Sequence, residues 1–133
     1  MTRKKCEGTE LAVFKGREAK LNRAIFQELV CKSQQTIYDI AKEIKHQKGL
    51  KRTKYTNVSR RVRALEEQGY IAKAGVRGTQ AGAQAILYQL TMRAQVALLL
   101  SQINPDRFIK EADEETLIAE LVALTFFVDS EKR

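Results

Sequence analysis

Between Lys51 and Arg63 the chain sets two side chains capable of paired hydrogen bonds, Asn57 and Arg60, among five further cations, Lys51, Arg52, Lys54, Arg61 and Arg63. The hydroxyls of Thr53 and Thr56 lie beside them. An amide can pair twice with an adenine edge and a guanidinium twice with a guanine edge, each pair discriminating by about 1–3 kcal/mol. Cations around such groups suit phosphates, which fix register without reading sequence. At about 100° per residue, Thr53, Thr56, Asn57, Arg60, Arg63 and Ala64 point away from an apolar stripe of Tyr55, Val58, Val62 and Leu65. Arg61 falls on the flank. Thr53, Thr56, Asn57 and Arg60 are therefore the base-reading candidates, and Lys51, Arg52, Lys54, Arg61 and Arg63 the phosphate candidates.

No other constellation in the chain supports chemistry. His46 is a lone histidine in a lysine-rich run, with no nucleophile to serve. Glu66-Glu67 and Glu114-Glu115 are neighbours in sequence, so on a helix they diverge by about 100° and do not converge on a substrate. No phosphate-binding glycine loop of the P-loop or dinucleotide type is present. Cys6 and Cys31 admit two readings: a thiol switch or metal-sensing pair, or one small core residue and one exposed thiol. A metal on two cysteines would be under-ligated. The expectation is a binding protein, with no catalytic residue, no cofactor and no metal.

The elements that must position Asn57 and Arg60 are legible as periods. Residues 1–17 read as a basic tail, ending in a short strand or turn at Leu11-Ala12-Val13-Phe14. From Glu18 to about Lys32, Leu21, Ala24, Ile25 and Leu29 recur at helical spacing, with Phe26 and Val30 widening the face. Ile37, Ile40, Ala41 and Ile44 mark a second helix, for which Thr36 and Asp39 form a capping box. The third helix runs from about Lys54 to Gln68 and stops at Gly69. The period then changes. Residues 70–74 read as a short strand, Gly75 to Gly82 as a basic, glycine-rich loop, and 84–90 as the returning strand. Thr91 caps a helix reaching about Gln102, and Pro105 and Asp113 start two more, the last ending near Asp129.

Charge sorts along the same line. Of the 133 residues, 1–93 hold 20 Lys/Arg and 8 Asp/Glu, a net of +12, whereas 94–133 hold 4 and 8, a net of −4. The densest stretch, Lys42 to Lys73, is the electrostatic footprint of a nucleic-acid partner, a solvated lysine-rich surface being the plainer reading. The longest apolar run, Val96 to Leu100, is far short of the ~20 residues that span a membrane, and no secretory signal opens the chain. A cytoplasmic, nucleoid-associated protein is the expectation.

The order helix, helix, helix, strand, loop, strand, helix, carried by the string from Thr56 to Ile71 and by Tyr88-Gln89-Leu90-Thr91, resembles the winged helix-turn-helix domain over roughly residues 18–102. MarR-like and ArsR-like transcription regulators of bacteria and archaea are the families it is most similar to. The resemblance implies an α+β, mostly α fold, with residues 18–91 as the DNA-binding domain. It places the third helix in the major groove, and Arg77 of the wing, helped by Lys73 and Gln80, on the adjacent minor groove or its backbone. It further implies that residues 92–133 pair two copies through terminal helices, with Leu99, Leu117, Leu121, Leu124 and Val128 at the interface. The implied function is sequence-specific binding of double-stranded DNA by a homodimeric transcription regulator. An architectural, non-specific DNA binder and a protein-interaction winged helix are the alternatives. One departure stands out: Ile44 and Val58 are 14 residues apart, more than the tight helix-turn-helix connection needs. No set of polar residues marks an effector pocket.

Overall fold

The structure, a computed structural model, describes residues 11–131. Cys6 and the first ten residues of the expected tail lie outside them. A 3-10 turn over Ala12–Phe14 leads into α1 (Ala19–Cys31), α2 (Ile37–Ile44) and α3 (Tyr55–Glu67). The hairpin β1 (Ile71–Gly78) and β2 (Gln84–Leu90) follows, then α4 (Met92–Gln102), α5 (Pro105–Glu111) and α6 (Glu114–Glu131). The chain divides after Ser101 into two compact units. This break falls later than the expected boundary at 91/92, because Ala94 and Ala97 of α4 are buried in the first unit's core.

That core is built where the periods placed it. Ile40, Ile44, Val58, Val62 and Leu65 are fully buried, against Ile25 and Phe26 of α1 and Ile71 of β1. The stretch read as the end of a tail belongs to it. Val13 and Phe14 are buried, and the Phe14 ring meets Phe26 edge-on at 5.3 Å. Two residues expected on apolar faces are instead exposed. Val30 lies at the outer edge of α1, and Tyr55, 49% exposed, opens α3 before that helix reaches the core.

Local chemistry fixes the helix ends. The Thr36 hydroxyl accepts from Asp39 N–H at 3.1 Å, and the Asp39 carboxylate accepts from Thr36 N–H at 3.4 Å, the expected capping box. At the end of α3, Gly69 N–H donates to Glu66 O and Tyr70 N–H to Leu65 O. This Schellman geometry requires the left-handed φ of +90° that Gly69 adopts. Thr91 ties the hairpin back, donating to Gly69 O at 2.6 Å while accepting from Ala94 N–H at the start of α4.

The hairpin is longer than its composition suggests. Residues 75–78, expected in a loop, continue β1 and pair antiparallel with 84–87, after a bulge between Lys73 and Gly75. Cross-strand pairing outweighs the weak strand propensity of glycine here. Only Thr79 to Ala83 form the tip, closed by Thr79 N–H donating to Ala83 O. Gln35 adds an isolated bridge to Tyr88, with both backbone bonds made.

Candidate nucleic-acid interface

Burying Val58, Val62 and Leu65 turns the opposite side of α3 outward. Thr56, Arg60 and Arg63 are exposed along it, spaced i, i+4, i+7, and Asn57 is half-buried at its edge. Thr53 is also half-buried, but it lies in the link, two residues before α3 begins. Lys51 and Arg52 occupy a turn in that link and Lys54 is the N-cap, all three exposed. No side chain caps the start of α3, where the Asn57 and Val58 amides both donate back to Lys54 O.

Arg61 does not join this surface. Its side chain is only 17% exposed, and its Nε donates to Asn22 Oδ1 at 3.1 Å, 3.8 Å from Glu18 Oε1. The buried Asn22 in turn donates from Nδ2 to Val13 O at 2.8 Å. Arg61 thus fastens α3 to α1 and to the 3-10 turn, away from the exposed cations with which it was grouped as a phosphate candidate. Arg61→Ala strands the buried Asn22 oxygen, an expected loss of about 1–3 kcal/mol in urea unfolding. The salt dependence of DNA binding should be unchanged. A slope lowered by about one unit per protomer at full stability would put Arg61 back on a phosphate.

The wing is less free than its sequence suggests. Arg77 sits on β1 and not at the tip, and its guanidinium makes two bonds to the Asp39 carboxylate, at 3.0 and 3.3 Å. Asp39 therefore serves the α2 capping box and the wing together. Partial burial pushes the Asp39 carboxyl up, but the bonds from Arg77 and Thr36 outweigh it and hold the group below the usual value. Lys73 lies 3.8 Å from Glu66 of α3. Gln80 alone of the three wing candidates is at the exposed tip, within the turn that closes it.

Two further features escaped the sequence. Exposed Tyr38 and Tyr55 line, with Arg63 and Ile86, a cavity of about 310 Å³ at the starts of α2 and α3. The exposed cations Lys20, Lys45 and Lys48 adjoin the α2–α3 link or belong to it, and a Cβ on Gly49 would collide with Lys20 Nζ. The charge run signalled Lys45 and Lys48, but Lys20 reaches the link only through the fold. Cys31 is an exposed free thiol at the end of α1. His46 is exposed in the link. Among the described residues no three His, Cys, Asp or Glu side chains cluster as a metal site would need, and no helix is long and apolar enough to cross a membrane.

In the second unit nearly all the large apolar side chains of α6 are exposed. No residue of α6 is buried, and Leu121, Leu124 and Val128 are exposed, as is Leu99 of α4, while Leu117 is half-buried. The four expected interface positions on α6 form one stripe. Ile118, Val122, Phe126 and Phe127 carry the apolar surface around the rest of the helix, with Phe126 75% exposed.

Three helices, the third with a polar outer face, followed by a two-stranded wing packed on the second, define an α+β winged helix-turn-helix fold. Among solved structures the chain is similar to diamide-treated YodB from B. subtilis, with a TM-score of 0.50 and 12% identity over 85% of this chain and 98% of that one. It is also similar to RdhR, an organohalide-sensing transcriptional regulator in its 2,4-dichlorophenol-bound form, with a TM-score of 0.48 and 21% identity over 91% and 68% of the two chains. A possible transcriptional regulator from Methanosarcina mazei Go1 gives 0.48 and 15% identity over 88% and 86%. No protein-family model and no curated protein matches the sequence. The likeness to YodB shows the fold.

Proposed function

We propose that this protein is a homodimeric, sequence-specific double-stranded DNA-binding regulator of transcription, working in the nucleoid. One observation carries the reading. The exposed face of α3 holds Thr56, Arg60 and Arg63 with Asn57 at its edge, on a helix whose other face is locked into the core. A helix so held is a rigid reading head of major-groove width. Arg60 and Asn57 take base edges, with Thr53 and Thr56 beside them. Lys51, Arg52, Lys54 and Arg63 take phosphates. The wing approaches the neighbouring backbone with Gln80, its orientation held through Arg77 and Asp39.

The exposed apolar surface of α6 supports the dimer. A helix apolar on every side is normally buried, and a second copy supplies cover by symmetry. Two copies would present two α3 helices to half-sites about one DNA turn apart. Selection from a random duplex library across a salt series tests the proposal. An enriched palindrome with two half-sites is the expected result. Salt-sensitive binding with no enriched motif would replace it by an architectural role, and no binding at low salt by a protein partner for α3.

A further inference from the structure

The connection between α2 and α3 is ten residues long, from Lys45 to Lys54, where a helix-turn-helix needs about three or four. It is ordered. Four successive backbone bonds, His46 N–H to Glu43 O, Gln47 N–H to Ile44 O, Leu50 N–H to Gln47 O and Thr53 N–H to Leu50 O, fold it as a run of turns. Leu50 pins its middle to the core, and Gly49, at a φ of +82°, lets the Lys20 side chain lie against it from α1.

The link holds Lys45, Lys48, Lys51, Arg52 and Lys54, with no acidic residue between Glu43 and Glu66. Among the described residues neither these five nor Lys20 has a carboxylate within 4 Å, whereas Lys73, Arg77, Arg61 and Arg107 each do. Like charges packed on a fixed loop repel one another in the free protein, and a polyanion relieves that repulsion. A flexible basic tail would gain phosphate contacts only at the cost of ordering itself, and this loop is already ordered.

We infer that the α2–α3 link, with Lys20 beside it, is a preformed phosphate clamp that sets affinity for the nucleic-acid backbone independently of the bases α3 reads. The inference rests on the proposed DNA-binding reading and deepens it, extending the phosphate contacts of Lys51, Arg52 and Lys54 to Lys45, Lys48 and Lys20. Its substrate is the phosphodiester backbone, and its contribution is the same on every sequence.

The test is the triple variant Lys45→Gln, Lys48→Gln, Lys51→Gln of the full chain, titrated against a selected duplex and a scrambled one from 50 to 200 mM salt. Each phosphate that is no longer neutralised lowers the slope of log affinity on log salt by about 0.9. With two copies on the duplex the slope is expected to fall by about five units on both duplexes, about 2.7 for each protomer, with the ratio between them unchanged. The matching Lys→Arg triple variant should keep the wild-type slope, since it keeps the charge. An unchanged slope in the glutamine variant, with wild-type binding intact, overturns the clamp and leaves the DNA-binding reading standing. A changed ratio shows that the link reads bases and overturns it too. Wild-type protein that binds neither duplex overturns both readings.

Discussion

Leu121→Glu combined with Leu124→Glu will convert the protein to monomers and lower its affinity for a two-half-site duplex by roughly 100- to 10,000-fold. The first part follows from burial. Each leucine covered at an interface is worth about 1.5–3 kcal/mol, and a two-fold axis counts every substitution twice. Four buried glutamates add unpaired charge on top of that loss, far more than a standard interface can absorb. The second part follows from tethering. A dimer that has placed one α3 presents the other at a high effective concentration, and a monomer forfeits that advantage even though it binds its own half-site as before. Neither leucine is part of the first unit's core, and both are exposed within the single chain, Leu121 at 65%. The thermal unfolding of the reading head should therefore survive the substitutions. Sedimentation and duplex titration check the two parts separately. Wild-type protein that sediments as a monomer, or a variant that remains dimeric, would remove α6 from the interface.

The parts of the fold that the sequence disclosed are those decided within a few residues. Thr36 and Asp39 are three apart, and the apolar positions of α2 repeat every turn, so both survive without tertiary information. The features it hid are decided by distant partners. Arg61 looked like another exposed cation because Asn22, which takes its guanidinium, lies 39 residues earlier. Arg77 looked like a wing tip because Asp39 is 38 residues away and because residues 75–78 become strand only once 84–87 pair with them. Tyr55 shares the angular sector of Val58 and Val62 but sits at the first position of α3, where the helix has not yet reached the core. Periodicity gives direction around an axis and says nothing of how far along that axis the neighbouring layer extends. The same reason explains the link. Its length and charge were plain, but its order depends on where Leu50 lands.

Those placements sharpen the last prediction. With Arg61 turned inward and Arg77 on Asp39, Arg60 is the exposed guanidinium near the middle of α3, pointing away from Val58, Val62 and Leu65. Removing it as Arg60→Ala should lower affinity for the selected half-site by about 1–3 kcal/mol, a factor of roughly 5 to 150, with a much smaller loss on a scrambled duplex. Arg60→Lys separates the two causes. An ammonium retains the charge and so the salt slope, but it lacks the planar fork that pairs with two atoms of one guanine. Lysine should therefore recover non-specific affinity while leaving the base preference relaxed at one position of each half-site. Selection of both variants on the same randomised library reads this directly. If the enriched motif is identical in wild type, Arg60→Ala and Arg60→Lys, Arg60 makes no base contact. If lysine restores the preference in full, its contact is to a phosphate or to a single acceptor, and the burden of reading passes to Asn57 and Thr56.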